Sequence, residues 1–306
     1  MTATAAGASG EERFIAALRS IATDPAARGL ADDAAELKVG GATLIVTHDM
    51  MVEGVHWLRG QDMADVAWKL VAVNLSDLAA KAARPVALML GYTLGDARED
   101  ARFAEGLREA VTTFGVPLLG GDTVAAPSGS ARAVGLTAIG EATATPSPAR
   151  ADAKAGEALW VTGTIGNALA GYEALVAGDF GPASLSYRRP RPRIAEGLAL
   201  AGIVSAMMDI SDGLLLDASR MADASGTTIA IDCAAVPIHP ALTDRALEAM
   251  TWGDDYQLLF TLLPGAEPPV TATRIGIVHP RGVHALLLDG APLPMGQVLG
   301  YRHTNT

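Results

Sequence analysis

The segment Asp62–Ala83 reads DMADVAWKLVAVNLSDLAAKAA, and its apolar residues follow the spacing that is typical of a long α-helix. Arg84-Pro85 ends this pattern, because proline cannot continue a helix and disfavours helical geometry at the residue before it. An apolar strand pattern, Val86–Leu94, follows directly. Asp77 lies among apolar neighbours in the helix, and such a carboxylate needs a partner or a metal ion because its burial is costly.

Helical and strand patterns alternate along the rest of the chain and predict an α/β fold of the α+β type. The other predicted helices are Glu11–Ile21, Glu99–Phe114, Asn167–Val176, Ile194–Val204 and Gly213–Ser225. The other predicted strands are Ala42–Thr47, Arg132–Gly140, Ala158–Thr162, Ala206–Ile210, Leu258–Leu263, Arg274–Val278 and Val283–Leu288. Phe180–Arg193 contains three prolines and four arginines and is predicted to be an exposed loop.

The chain length favours two domains, because 306 residues exceed the usual size of one domain. Thr143–Ala155 is rich in Ala, Pro, Ser and Thr and is the best candidate for a linker. We therefore predict an N-terminal domain of residues 1–145 and a C-terminal domain of residues 146–306.

The composition restricts the classes of partner and the compartment. A formal net charge of -11 disfavours nucleic acid and anionic membranes as partners. The N-terminal residues lack the basic start and apolar stretch of a secretory signal, and no run of about 18 apolar residues occurs. Cys233 is the only cysteine, so an intrachain disulfide and a cysteine-based metal site are excluded. We expect a cytoplasmic protein.

Two common nucleotide-binding motifs are missing from the chain. Neither G-x-x-x-x-G-K-[ST] nor G-x-G-x-x-G occurs. Gly163-Thr164-Ile165-Gly166 follows a predicted strand and is a weak phosphate-loop signal that equally fits a plain strand-to-helix turn.

Five more aspartates lie in loops or at predicted element ends, where α/β folds place ligand sites. They are Asp33, Asp49, Asp122, Asp209 and Asp212. Asp49 sits just past the end of the predicted strand Ala42–Thr47. Taken singly, Asp33 fits a turn residue and Asp212 fits a helix N-cap. Taken together, carboxylates without cysteines and with few histidines favour Mg²⁺ over Zn²⁺.

A set of aspartates that holds Mg²⁺ indicates a particular reaction class. An acidic pocket repels ATP and a phosphate ester unless metal ions bridge the like charges. Phosphoryl transfer chiefly needs positioning and charge neutralisation, which such a site supplies. The residues therefore favour an Mg-dependent phosphotransferase that uses ATP.

Six short motifs carry these aspartates and their neighbours. They are ADDAA at 31–35, THDMMVEGVHW at 47–57, NLSDLAA at 74–80, LGGDT at 119–123, DISDGL at 209–214 and GDDYQLLF at 253–260. In this order they resemble the thiamine-monophosphate kinases, a family within the superfamily that includes aminoimidazole ribonucleotide synthetase. The resemblance runs nearly end to end, and VEGVH and DDYxLLF look specific to the kinases.

The resemblance implies transfer of the γ-phosphoryl group of ATP to thiamine monophosphate, by direct in-line transfer without a phosphoenzyme. It implies several Mg²⁺ ions and a homodimer formed by the N-terminal sheets. The N-terminal domain would have a mixed sheet flanked by helices and would bind ATP and Mg²⁺. The C-terminal α/β domain would complete the site. The implied metal ligands are Asp33, Thr47, His48, Asp49, Asp77, Asp122, Asp209 and Asp212. The implied ATP contacts are Gly121, Asp122, Arg150 and Ser211, and the implied thiamine contacts are His56, Asp254 and Tyr301.

Three positions depart from the family pattern. Ala31 stands where a glycine usually precedes the paired aspartates, and His48 replaces a threonine beside Asp49. If that position binds metal through its carbonyl, the change is harmless; if through its hydroxyl, one site is weakened. The stretch GDDYQ at 253–257 replaces Gly-Glu-Asp-Tyr-Glu and shortens one carboxylate arm at the thiamine end.

Two alternatives stay open from the sequence. One is another ATP-using member of the superfamily, although a selenophosphate synthetase needs an N-terminal Cys or Sec and a hydrogenase-maturation relative needs a C-terminal Cys, and this chain has neither. The other is a degenerate nucleotide-binding protein without turnover, an alternative that is suggested by the presence of His48.

Overall fold

The computed structural model describes residues 10–127, 129–294 and 296–302. Its first half contains a mixed five-stranded sheet in the order β1-β2-β5-β3-β4, in which only the β3–β4 pair is parallel. The strands are β1 (Ala35–Val39), β2 (Ala42–Val52), β3 (Ala83–Leu94), β4 (Leu118–Ala125) and β5 (Ala133–Ala142). The helices of this half are α1 (Gly10–Arg19), α2 (Met63–Ala80) and α3 (Ala97–Phe114).

Helix α2 is the centre of the molecule. Asp62 caps its N-terminus by accepting a hydrogen bond from the backbone N–H of Ala64 at 3.0 Å, and all 18 of its residues are buried. A helix that is buried all round must pack against neighbours on every side. α2 packs on β2, β5 and α3 within its own half and reaches the second half of the chain as well.

The second half contains a seven-stranded sheet in the order β12-β11-β8-β10-β6-β9-β7. Its strands are β6 (Ala158–Thr162), β7 (Met207–Asp209), β8 (Thr227–Ile231), β9 (Leu258–Leu262), β10 (Ala272–Pro280), β11 (Leu286–Leu288) and β12 (Ala291–Pro292). Its helices are α4 (Asn167–Val176), α5 (Leu185–Arg188), α6 (Ile194–Leu200), α7 (Leu214–Ser225) and α8 (Ala246–Trp252). The predicted α/β class is confirmed.

Two strands differ from the sequence-based prediction. β2 continues to Val52 because its backbone stays paired with β5 as far as the register Val52↔Ala133. Asp49 therefore lies inside the strand, and the prediction that it follows the strand end is wrong. β4 was not predicted as a strand, because its GGD sequence has no strand pattern; pairing with β3 holds it extended.

The prediction of an exposed loop at Phe180–Arg193 is also wrong in part. The segment forms α5, and the guanidinium groups of Arg188 and Arg189 both bind the carboxylate of Asp65 on α2. Charge pairing across the two halves therefore holds this segment in place.

The apolar core lies in both halves and continues between them, since Ala79 and Ala80 of α2 belong to one buried cluster with Phe260 of the second sheet. One cluster joins α2 and α3 to the first sheet, and another joins α7 to the second sheet. Among residues 10–127, 129–294 and 296–302, no helix has the length and apolarity needed to cross a membrane.

Candidate active site

Strand β2 presents two of the predicted residues on one face. Thr47 and Asp49 are two positions apart, so their side chains point the same way, toward α2. The Thr47 hydroxyl donates to the carboxylate of Asp77, and the backbone N–H of Asp49 donates to the side-chain oxygen of Asn74 at 3.0 Å. Two polar residues of the NLSD motif thus bind β2.

The same motif also reaches the second half of the chain. The Ser76 hydroxyl donates to Asp209 at 2.6 Å, and both side chains are buried. Asp209 ends β7, which packs beside α2. α2 therefore brings a carboxylate from each half of the chain to one place.

Basic groups hold the aspartate pair that precedes β1. The ammonium of Lys81 is fully buried and binds both Asp32 and Asp33, the latter at 2.7 Å. Arg150 also binds Asp33, and Arg28 binds Asp32 at 2.6 Å. Burial alone would raise the pKa of Asp33, but the charges of Arg150 and Lys81 lower it to about 2. Sequence reasoning missed Lys81, whose residue type is normally exposed.

The pKa values of three other carboxylates are shifted in the opposite direction. Burial, and then the nearby charges of Asp33 and Asp212, raises the pKa of Asp49 to about 6. Burial and the charges of Asp49, Asp209 and Asp33 raise the pKa of Asp77 well above its ordinary value. Burial and the charge of Asp33 likewise raise the pKa of Asp209. This is a buried concentration of negative charge.

The donor set suits a hard cation. Carboxylate oxygens are the ligands that Mg²⁺ and Ca²⁺ prefer, and a cation would offset both the burial and the repulsion that raise these pKa values. Within the described part of the chain, no three His, Cys, Asp or Glu side chains form a ready-made metal site. A metal ion would therefore have to draw the carboxylates away from partners such as Thr47 and Ser76.

The loop after β7 is organised by a residue that sequence reasoning missed. The Asp217 carboxylate on α7 accepts hydrogen bonds from the backbone N–H groups of Ser211 and Asp212, both at 3.1 Å. Arg220 binds both Asp217 and Asp212. The only sequence signal was an acid in the first turn of a predicted helix, which is too common to single out.

One cavity of about 410 Å³ joins the two groups of predicted residues. Asp49, Ser211 and Asp212 line it. It is also lined by the residues predicted to contact thiamine, namely His56, Asp254 and Tyr301. Five aromatic side chains contribute to its wall: Tyr172, Tyr187, Trp252, Tyr256 and Tyr301. Apart from Tyr301, sequence reasoning did not select these aromatic residues, which come from separate helices and loops.

Hydrogen bonds within the protein hold the residues that are predicted to contact thiamine. The backbone N–H of Val52 donates to Nδ1 of His56 at 2.9 Å. The backbone N–H groups of Asp254 and Tyr301 donate to the carbonyls of Ser211 and Asp212, at 2.8 and 2.9 Å. The thiamine end is thereby attached to the aspartate-bearing loop.

His48 is not brought to this site through its side chain. It lies on the opposite face of β2, where its Nδ1 is 2.9 Å from the Thr137 hydroxyl on β5. A side chain at Gly135 would come within 3.0 Å of the imidazole. His48 could therefore bind a metal ion at this site only through its backbone carbonyl.

Gly121 and Asp122 also lie apart from the cavity. Both are on β4, the exposed edge strand, and three strand spacings, about 14 Å, separate it from β2. Position 121 requires glycine for a structural reason, because a Cβ there would lie 1.8 Å from the Leu90 carbonyl oxygen. A single chain therefore does not join these residues to Asp49.

Arg150 is largely buried, with 17% of its side chain exposed, instead of lying on an exposed linker. It starts a short 3₁₀-helix, Arg150–Asp152, and its carbonyl accepts a hydrogen bond from Ser225 at 3.1 Å. Its Nε is buried and has no hydrogen-bond partner among the described residues. The guanidinium is therefore beside Asp33 with donor capacity left over.

The chain matches known families in both halves. Residues 31–142 match the family model of the AIR synthase related protein N-terminal domain, and residues 154–280 match that of the C-terminal domain. The chain is 38% identical over 259 residues to a thiamine-monophosphate kinase of Caulobacter vibrioides, covering 79% of this chain and 73% of the relative. It is 36% identical over 251 residues to a thiamine-monophosphate kinase of Escherichia coli strain K12, covering 76% of each.

Solved structures share the fold over most of their length. AaThiL complexed with AMPPCP and TMP aligns with a TM-score of 0.84 and 26% identity, covering 96% of this chain and 97% of that one. Thiamine-monophosphate kinase from Stenotrophomonas maltophilia aligns with a TM-score of 0.73 and 30% identity, covering 91% and 95%. The hydrogenase maturation protein HypE in complex with ATP aligns at 0.66 with 21% identity, which indicates a common fold alone.

Proposed function

The chain belongs to the AIR synthase related proteins and, within them, to the thiamine-monophosphate kinases, and from this premise we propose that it transfers the γ-phosphoryl group of ATP to thiamine monophosphate. One observation carries the proposal for this chain. The same cavity is lined by Asp49 and Asp212 and by His56, Asp254 and Tyr301. Such a cavity can hold an acceptor with its phosphate at the carboxylates.

The cavity wall supports thiamine monophosphate as the acceptor. Its volume of about 410 Å³ lies in the range of small-molecule sites. The thiazolium ring of thiamine is a cation, and aromatic faces attract cations through their quadrupoles. Tyr172 supports this wall, because its ring packs at a tilt against Trp252, with centroids 4.9 Å apart, and edge to face against Tyr187, at 5.3 Å.

We further propose that several Mg²⁺ ions are held by Asp33, Asp49, Asp77, Asp209 and Asp212, with Thr47 as an additional oxygen donor. The support is the donor chemistry and the shared negative charge of these carboxylates. When bound, Mg²⁺ supplies charge neutralisation for the phosphate oxygens of donor and acceptor.

The chain's own groups would position the reactants for direct in-line transfer. Arg150 has a buried Nε without a hydrogen-bond partner among the described residues, which suits a phosphate oxygen of ATP. Ser211 would contact ATP from a loop that Asp217 holds through backbone N–H groups. Asp254 and His56 would hold the vitamin ring.

We also propose a homodimer formed through the N-terminal sheets. The strands of this sheet expose large apolar side chains, namely Met50, Val86, Met89, Leu118, Leu119 and Val124. A second copy that covers them would also give Gly121 and Asp122 a route to the site of the other copy, which the single chain does not offer. The domain boundary at residues 145/146 and a cytoplasmic location complete the proposal.

The dimer has its own test. Leu119→Lys on β4 is expected to give a monomer by light scattering and to lose turnover, because Leu119 is 66% exposed on the proposed interface. Leu263→Lys, at an apolar residue of the second half that is 59% exposed, serves as the matched control. A monomeric wild-type chain with full turnover would refute the dimer.

The reaction is tested by ADP release. With ATP and Mg²⁺, turnover is expected with thiamine monophosphate and not with free thiamine or without acceptor. The product should be thiamine diphosphate by chromatography, and EDTA should stop the reaction. Turnover with free thiamine alone, or with no acceptor at all, would overturn the proposed reaction.

A further inference from the structure

Lys69 on α2 lies directly behind the wall of the cavity. Its side chain is only 1% exposed, and it does not line the cavity. Its ammonium donates to Asp254 at 2.7 Å and to the carbonyl of His56 at 3.1 Å. It also sits 4.0 Å from the centroid of the Tyr187 ring.

Each of these three contacts is to a residue of the cavity wall. His56 comes from the first half of the chain, whereas Tyr187 and Asp254 come from the second half. The Tyr187 hydroxyl also donates to the His56 carbonyl at 3.4 Å, so the group closes on itself. One buried charge therefore links both halves of the wall.

The Asp254 carboxylate is held at both oxygens. Oδ2 accepts from Lys69, and Oδ1 accepts from the Tyr256 hydroxyl at 2.8 Å. The backbone at Asp254 has a φ of +60°, a conformation that costs free energy for a non-glycine residue. The surrounding contacts must therefore hold the backbone in this conformation.

We propose that Lys69 is a positioning residue for the acceptor, which acts by fixing the Asp254 carboxylate and the His56 backbone at the vitamin end of the cavity. This inference rests on the proposed function. Lys69 does not touch the acceptor, because the cavity wall separates them. Its influence falls on acceptor affinity, since its contacts are to His56, Asp254 and Tyr187 and not to the aspartates proposed for phosphoryl transfer.

The test compares steady-state kinetics of Lys69→Met with the wild type. Methionine keeps most of the aliphatic stem and removes the charge. The KM for thiamine monophosphate is expected to rise about 10–100-fold, because the Asp254 carboxylate loses the charged hydrogen bond that fixes it, and such a bond is worth about that factor in affinity. The KM for ATP is expected to stay within about 2-fold and kcat within about 3-fold, as for loss of uniform acceptor binding.

Three further variants exclude a merely structural effect. Lys154→Met, the same change at an exposed lysine, is expected to match the wild type. Lys69→Arg keeps the charge and should recover at least part of the affinity. In an Asp254→Asn background, Lys69→Met should raise the KM by no more than about 3-fold, because contacts that act through one another are not additive.

The outcomes separate the two levels of inference. If the wild type releases no ADP with thiamine monophosphate, the proposed function fails, whatever Lys69 does. If the wild type is active and Lys69→Met leaves the KM for thiamine monophosphate unchanged, the role of Lys69 is refuted. The role is also refuted if Lys69→Met lowers kcat and the affinity for ATP as much as it lowers the affinity for thiamine monophosphate. Multiplicative effects with Asp254→Asn also refute it. If Lys69→Met alone does not fold, the double variant, which buries no unpaired charge, is compared with Asp254→Asn.

Discussion

Lys81 offers the sharpest test of how the aspartate region is stabilised. Its ammonium is fully buried and binds Asp32 and Asp33, whose side chains are 5% and 4% exposed. Lys81→Met removes the charge and retains much of the stem. Two buried carboxylates then lose a shared partner, and each keeps one other, Arg28 or Arg150.

The remaining partners set the expected magnitude. Removing one member of a buried ion pair costs about 3–5 kcal/mol, and the surviving arginines place this case at the low end, about 3 kcal/mol. For a chain of this size, the melting temperature should fall by about 5–10 °C. The free energy of unfolding is measured by urea denaturation in EDTA, with Lys154→Met as a control that should stay within about 0.5 kcal/mol.

The same variant tests the metal proposal. If Mg²⁺ binds beside Asp33, it supplies some of the positive charge that Lys81→Met removes. Added Mg²⁺ should therefore stabilise the variant more than it stabilises the wild type. A variant as stable as the wild type in EDTA would refute the buried ion pair, and an equal Mg²⁺ response in both proteins would refute metal binding next to it.

Three more predictions concern the site and its pH response. Asp49→Asn should abolish turnover, because it removes a proposed metal ligand. The melting temperature in EDTA should stay within about 2 °C of the wild type, because the substitution also removes a repulsive charge. A folded variant with full activity rejects the role as a metal ligand. Trp252→Ala should raise the KM for thiamine monophosphate about 5–30-fold, through loss of about 1–2 kcal/mol from the aromatic wall, and an unchanged KM contradicts it. Burial raises the pKa of Asp255 from 3.8 to about 7, although the N–H groups of Gly166 and Ala168 oppose the shift. The folded protein therefore holds a proton that the unfolded chain loses, and stability should fall as the pH rises from about 4 to about 7. Asp255→Asn should flatten this fall in urea unfolding at pH 5 and pH 8, and an identical difference in both proteins counts against it.

The parts of the fold that local pattern controls were predictable. α2 was recognised from its apolar spacing, with Asp62 at its start and Arg84-Pro85 beyond its end. The parts that depend on pairing with distant strands were not. β2 runs past His48 and Asp49 only because β5 lies beside it, and β4 is extended only because β3 pairs with it.

The candidate site divides in the same way. The aspartate motifs were visible as residue types at loops and element ends, and the family resemblance placed Asp254 and His56 among them. The lysines behind them were not visible, because a lysine in a sequence is normally assigned to the surface. Lys69 and Lys81 are buried only because α2 lies between the two halves and each ammonium meets carboxylates from elsewhere in the chain.

The sequence by itself determined the α/β class, the family and the acidic character of the site, since each depends on residue identity and spacing along the chain. The tertiary structure alone decided which predicted residues meet. It joined Asp49 to Asp254 through one cavity, turned the side chain of His48 to the opposite face of β2, and left Asp122 on a distant edge strand. The physical reason is that strand order, strand register and the packing of α2 depend on contacts between residues far apart in the chain, which no local pattern records.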